Sequence, residues 1–199
     1  MGLSKSKIFY LKKRVVFPFC SINVLFALTK TSKDIKIGDR IIAYPIRNLL
    51  DIFIYKNKIG TLSEVIDKKV LEKGIKIQLK GIERVKIKKI DKLQTSSFEK
   101  LDEKLQGNFE KLNSELKKKS QELIFLINIE ESDKLIDLLN YLVNIIQTTD
   151  FITHYFVLDF KRRYKLFKEL NIEKRINSLI SILDLTIDNM RNKRKTELP

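Results

Sequence analysis

Tryptophan is absent from these 199 residues, and cysteine and histidine occur once each, as Cys20 and His154. A lone cysteine excludes an internal disulfide, and one Cys with one His cannot build a structural zinc site, which needs about four ligands. The six glycines, at 2, 38, 60, 74, 81 and 107, leave no Gly-x-x-x-x-Gly-Lys-Ser/Thr spacing, so no backbone cradle for nucleotide phosphates is encoded. Long apolar runs are also missing. The longest uncharged stretch, residues 15–29, contains Pro18, Ser21 and Asn23 and falls short of the roughly 18 apolar residues that span a bilayer. Lys5, Lys7, Lys12, Lys13 and Arg14 precede apolar residues 15–20 and mimic a lipoprotein signal, but that run is shorter than an h-region of about 7–15 residues. Phe19 before the cysteine is not the small residue that cleavage favours. The expectation is a cytoplasmic protein without a membrane anchor, cofactor or metal.

What the chain has in abundance is lysine. Its net charge is +15, and residues 1–93 carry 22 Lys and Arg against 8 Asp and Glu, so the first half supplies nearly all of the positive field. Such a field attracts nucleic acid, anionic lipid or acidic protein segments, or simply solvates strand faces. With 43% hydrophobic residues, about 200 residues suffice to bury a real core in one large domain or two small ones.

From Phe9 to about Lys92 the pattern is that of strands and turns. Ile75, Ile77 and Leu79 alternate with Lys76, Gln78 and Lys80, the mark of a strand with one apolar and one wet face. Beyond Gly81, Val85 and Ile87 restart the alternation against Arg84, Lys86 and Lys88, and the glycine permits a bulge or bend. Gly38-Asp39 and Lys73-Gly74 read as reversals between neighbouring strands. Tyr44-Pro45 is expected to end its strand, because proline donates nothing to a ladder. Short strands at this spacing favour a small, closed or strongly curved sheet.

Near Gln94–Ser97 the periodicity changes. Phe98, Leu101, Leu105, Phe109, Leu112 and Leu116 recur at steps of three and four, predicting an amphipathic helix interrupted at Gly107, with the piece before Gly107 alternatively a last strand. Ser132 and Asp133 suit the start of a helix carrying Leu135, Leu138, Leu139, Leu142, Ile145 and Ile146. Asp150 could open the next, running through Tyr155 toward Phe167. Asn171 fits the N-cap of a final helix with Ile172, Ile176, Leu179, Leu183, Ile187 and Met190 along a buried seam. The basic run from Arg191 to Lys195 complements that helix's C-terminal dipole by about 0.3–1 kcal/mol per charge. The predicted class is α+β, a β domain over residues 1–95 followed by a helical bundle over 96–199.

Two stretches carry a family pattern. Ile59-Gly60-Thr61 leading to Gly81-Ile82-Glu83-Arg84-Val85 resembles the strand pattern of the N-terminal domain of Lon ATP-dependent proteases, and Phe17-Pro18 matches that family's Phe-Pro. Leu166-Phe167-Lys168-Glu169-Leu170-Asn171-Ile172-Glu173-Lys174-Arg175-Ile176 resembles its helix-to-helix turn. The resemblance implies a PUA-like barrel and a domain that engages unfolded or apolar protein segments. It is expected to be free-standing, since 199 residues leave no room for the ATPase and peptidase modules. A family helix of several turns between Phe26 and Ile41 is expected to be missing, because residues 29–37 are short and rich in Lys, Ser and Thr.

No catalytic, cofactor, metal or binding residue is nominated. His154 has charged neighbours Asp150, Asp159 and Lys161 in sequence but no nucleophile at helical spacing, so it reads as structural or surface-lying. Cys20 reads as buried and inert. The leading functional class is a non-catalytic protein-binding module, its partners unfolded or substrate proteins or a Lon-type protease itself, with an apolar surface expected where the β part meets the helices. The alternative is RNA binding through the basic β half, against which stands the lack of interleaved aromatics for base stacking.

Overall fold

The 18-residue strand β5, Gly74–Asp91, organises the first half of the molecule, because it offers one side to a single partner and divides the other between two. In the computed structural model, which describes residues 4–53, 58–91, 95–103, 108–127, 132–142 and 144–197, β4 (Ile59–Leu71) runs antiparallel along one side of β5. The first part of the other side pairs with β2 (Ser21–Phe26) and the last part with β6 (Thr95–Lys100). β3 (Arg40–Ile46) pairs with β4, and β1 (Ser4–Lys12) lies parallel to β3 and antiparallel to β6. The ladder β5-β4-β3-β1-β6-β5 therefore closes on itself, and β2 is left outside the ring with a partner on one side only. Closure gives each of the other five strands a ladder partner on both sides over part of its length, although the Val65–Leu71 half of β4 pairs with β5 alone.

The alternation in β5 places Ile75, Ile77 and Leu79 in a core with Phe9, Leu11, Val24, Ile41 and Val65. A second cluster, built on Ile8, Ile42, Tyr44, Ile46, Leu62, Val85, Ile87 and Phe98, covers the opposite face of the same strands. β3 is buried on both faces from Ile41 to Ile46, which explains its unbroken apolar sequence. Pro45 does not end it. The strand continues to Ile46 against β1, and because the β4 ladder stops at Ala43 opposite Thr61, the missing donor at position 45 breaks no β4 pairing.

Gly38-Asp39 does turn the chain, with Gly38 at φ +88°, but what precedes it is not a strand: Lys30–Lys33 forms a single α turn, α1. That turn stands where the family's several-turn helix was expected to be missing. Lys73-Gly74 is the tight β4–β5 reversal that the sequence announces.

The molecule consists of two compact units, Met1–Asp102 and Glu103–Pro199. The second unit is helical: α2 (Glu110–Ile127), α3 (Ser132–Tyr141), α4 (Ile145–Phe156), α5 (Phe160–Lys168) and α6 (Ile172–Glu197). Three helical expectations are corrected. Of the two readings of the piece before Gly107 the last strand holds and the helix does not, for Phe98 lies in β6 and the helix begins at Glu110; Leu105 and Gly107 fall outside the described residues. The α3 pattern does not run on to Ile146, for Asn144 caps a new helix by accepting from the Ile146 and Gln147 amides. Asp150 lies inside α4 rather than at its start, and Asp159 caps a separate α5 by accepting from Arg162 N. Asn171 does cap α6, its Oδ1 accepting from Lys174 N at 2.9 Å. Ile172, Ile176, Leu179, Leu183 and Ile187 are buried together, with Met190 packed at the margin of that core.

Candidate functional site

The motif residues of the β unit gather at one node. Residues 15–20 form an irregular segment beside the middle of β5, where Thr61 Oγ1 donates to the Val16 carbonyl at 2.6 Å and the Arg84 guanidinium sits 5.9 Å from the Phe17 ring centroid. Phe17 is fully buried and Arg84 nearly so. Pro18 bridges to Gly81, and a Cβ on Gly81 would fall 2.2 Å from the Phe17 carbonyl oxygen. Phe-Pro, Gly-Thr and Gly-x-x-Arg thus form one clip that fastens the segment preceding β2. Phe19 takes φ +65° to leave the clip, and its amide donates to Gly81 O at 2.9 Å. Cys20, in no disulfide and 5% exposed, follows within the fold.

In the helical unit, the matching motif is likewise interior. Arg175 is wholly buried, with Nη1 3.3 Å from Asp150 Oδ1 and Nη2 2.5 Å from Glu103 Oε1. Leu166 and Phe167 are buried beside it in sequence. Both motif arginines are therefore fold determinants.

His154 is half-buried in α4, and burial with the nearby Arg163 guanidinium pushes it down from 6.5 to about 4. Arg163 donates to the His154 carbonyl. A histidine that stays neutral when folded but takes a proton near 6.5 when unfolded favours the unfolded chain in acid. Its contribution to stability is complete above about pH 6.5 and is lost as pH falls toward 4, in total about 3 kcal/mol or slightly more at about 1.4 kcal/mol per unit. Denaturant midpoints measured from pH 7 to pH 4.5 should fall for the wild type, and His154→Gln should flatten that part of the profile. An unchanged slope in the variant would remove the histidine from the acid limb.

The described residues contain no group of three or more His, Cys, Asp or Glu side chains able to hold a metal ion. A cleft of about 670 Å3 beside β1 and β6 has Leu62 and Phe98 in its wall and charges at its rim. Those charges include the Lys100–Glu83 pair at 2.7 Å, while Glu99, also in the lining, is held by Lys88 at 2.6 Å. Such an arrangement engages the Glu83 and Glu99 carboxylates in ion pairs rather than setting them to activate a nucleophile.

The exposed apolar side chains are a different matter. Asn48, Leu49, Leu50, Asp51, Ile52 and Phe53 form a 3-10 turn whose interior is locked. Arg47 grips Asp51 through both carboxylate oxygens, at 2.9 and 3.1 Å, and its own amide adds a third bond at 2.7 Å. That grip holds the buried Asp51 carboxyl below its ordinary value. Lys58, itself buried and shifted down by desolvation, donates to the Ile52 carbonyl at 2.6 Å. The turn consequently points Leu49, Leu50 and Phe53 outward, 67%, 71% and 58% exposed. Large apolar side chains fixed in solvent mark interaction sites more often than singly scattered ones. Sequence reading missed this site because the turn resembles one more buried run; the Leu-Leu-Asp-x-Phe spacing around Asn48 was the available signal.

An α+β chain whose exposed features are clustered apolar side chains and a strand with one bare edge has the surface of a protein-binding domain. Residues 6–184 match the ATP-dependent protease La (LON) substrate-binding domain, and the chain belongs to that family. Among solved structures it is similar to the N-terminal domain of the Mycobacterium avium complex Lon protease, at 12% identity and TM-score 0.68, with 91% of this chain and 98% of that one covered. It is also similar to a Lon N-terminal domain protein from Xanthomonas campestris, at 14% identity and TM-score 0.57, covering 89% and 98%. At such identities the likeness establishes the shared fold. No curated protein sequence matches the chain. Among the described residues no helix is long and apolar enough to cross a membrane.

Proposed function

We propose that this chain is a non-catalytic module that captures unfolded or apolar segments of other proteins and presents them for proteolysis. The observation that carries the reading is the locked display of Leu49, Leu50 and Phe53. Arg47, Asp51 and Lys58 fix the turn before any partner arrives, so little further ordering is needed on association. Burying three such side chains against a client's apolar residues supplies a driving force of about 1.5–3 kcal/mol each when complete. The sequence encodes no phosphate-binding loop of its own, so the module binds and releases without doing mechanical work.

The test is binding of a reduced, alkylated protein that cannot refold, followed by fluorescence anisotropy at 50 mM and 500 mM salt. Apolar capture should persist at high salt, and Leu49→Ser with Leu50→Ser should weaken it about tenfold while the far-ultraviolet spectrum and melting curve stay those of the wild type. Binding that collapses with salt and is displaced by single-stranded RNA would instead assign the +14 of residues 1–93 to nucleic acid and overturn the proposal.

A further inference from the structure

We propose that the outer edge of β2 receives an extended, acidic segment of a client chain as an additional strand. The inference rests on the protein-capture reading and specifies a second mode of contact, through backbone rather than apolar side chains. Among the described residues β2 is the one strand outside the closed ring, and one of its long sides has no ladder. Which groups face that side follows from its bonds. Gly81 N donates to Cys20 O at 2.9 Å, so residue 20 directs its carbonyl toward β5, and strand alternation then turns the backbone groups of Ser21, Asn23 and Leu25 outward. Arg14 agrees with that parity, since its Nη1 reaches the Asn23 carbonyl from outside at 2.7 Å. Among the described residues the outward backbone groups of these three residues have no other protein partner.

The side chains around this edge define the guest. Leu25 is 59% exposed and leans over Gly74, where a Cβ would come within 3.2 Å of its Cδ1, and Leu71 stands opposite Gly74 in the hairpin. The guest therefore meets an apolar contact at one end of the edge. Along the same outward face, Lys76 lies opposite Leu25 and Lys80 opposite Ser21, both exposed, with Lys12, Lys13 and Arg14 on the preceding segment. Glu64 and Asp67 lie farther in, on β4, one strand removed. A guest bearing carboxylates on its solvent face complements this surface. A second copy of this chain would bring the same cations against themselves, which argues against edge-to-edge self-pairing.

Arg14 then has two positions. In the free protein it covers one acceptor of the edge, as charged guards do on natural edge strands. When a guest strand takes the Asn23 carbonyl, the guanidinium is released to pair with a guest carboxylate.

The experiment uses the wild-type protein and a fluorescein-labelled ten-residue peptide alternating Val and Glu, with anisotropy as readout. Two modified peptides carry N-methyl groups, one on the Val amides and the other on the Glu amides. An added strand turns only alternate amides toward its host, and the apolar alternation fixes which. One methylated peptide should therefore lose at least tenfold in affinity while the other stays within about threefold of the parent. Replacing Glu by Lys should also abolish binding, and Arg14→Gln should narrow the preference for Glu over Gln peptides. Asn23→Pro, which removes an outward N–H without touching the β5 ladder, should weaken the parent peptide similarly.

Equal binding of both methylated peptides, or none of the parent, overturns the edge proposal. If the alkylated client still binds in that case, protein capture stands and only the edge falls; if neither binds, both readings fall. Concentration-dependent dimers in sedimentation that Asn23→Pro abolishes would assign the edge to a second copy and overturn the proposal as well.

Discussion

Gly81→Ala should be the most damaging single-methyl change in the β unit, lowering stability by about 3 kcal/mol or more. The added carbon would lie 2.2 Å from the Phe17 carbonyl oxygen, 2.9 Å from its carbonyl carbon and 3.2 Å from Pro18 Cα. All three neighbours are backbone, so no flexible side chain can yield. Ordinary overpacking costs about 1–3 kcal/mol, and here the relief is to lift the clip itself. That movement would withdraw Phe17 from its site, loosen the Arg84 contact and break the Thr61 bond to Val16 O. A chain of this size loses about 2–4 °C of melting temperature per kcal/mol, so a drop of about 6–12 °C is expected. Gly38→Ala is the control. Its φ of +88° is awkward for alanine, yet nothing lies within 4 Å of the added carbon, so the loss should stay near the 1–2 kcal/mol of left-handed strain. Melting curves that rank Gly38→Ala as the worse variant would contradict the clip as described. Because β2 follows the clip directly, peptide binding at the β2 edge should fall with Gly81→Ala even at temperatures where the variant remains folded.

Alternation exposed most of the β unit in advance, since period-two patterns report a local property of half-buried strands. β5 could be read almost residue by residue, and so could the β4–β5 turn at Lys73-Gly74. Pro45 misled because its tolerance depends on a neighbour: β4 has already left β3 at Ala43, a long-range fact absent from the local sequence. Phe98 misled for the converse reason, its three-residue step to Leu101 being satisfied by a strand and the residues that follow it. The helical unit was legible as helix and illegible in its breaks. Asn144 and Asp159 cap new helices, whereas Asp150, an equally plausible cap by type, is consumed by Arg175 in the interior. The binding features were the least legible. Whether an apolar turn is buried, or a strand left without a neighbour, is decided by how distant segments pair, and the charge excess of residues 1–93 gave only the sign of a partner. The family motifs pointed at the right residues, but their role is to build the clip and the buried arginine cluster rather than to touch a client.

Arg175→Met should destabilise the helical unit by about 3–5 kcal/mol although methionine preserves the unbranched apolar stem of the side chain as far as the position of Nε. The loss comes from what remains. Asp150 is fully buried in α4 and Glu103 is close to buried, and without the guanidinium their charges have no cation in the positions now filled at 3.3 and 2.5 Å. Stranding a buried charge is far more destabilising than removing a whole buried pair, since water can no longer solvate it and the low dielectric no longer repays it. Arg175→Lys should fall between, because a single ammonium cannot fork to carboxylates on two segments as the guanidinium does. Combining Arg175→Met with Asp150→Leu should restore stability relative to Arg175→Met alone, an apolar pair being an acceptable replacement for a desolvated ionic one. Denaturant unfolding of the wild type, Arg175→Met, Asp150→Leu and the double variant closes a double-mutant cycle, and a coupling energy near zero would show that the arginine acts through packing rather than through its carboxylates. The restored double variant should bind the alternating Val-Glu peptide as the wild type does, because Leu25, Arg14 and the β2 edge belong to the unit of residues 1–102 while Asp150 and Arg175 belong to the other.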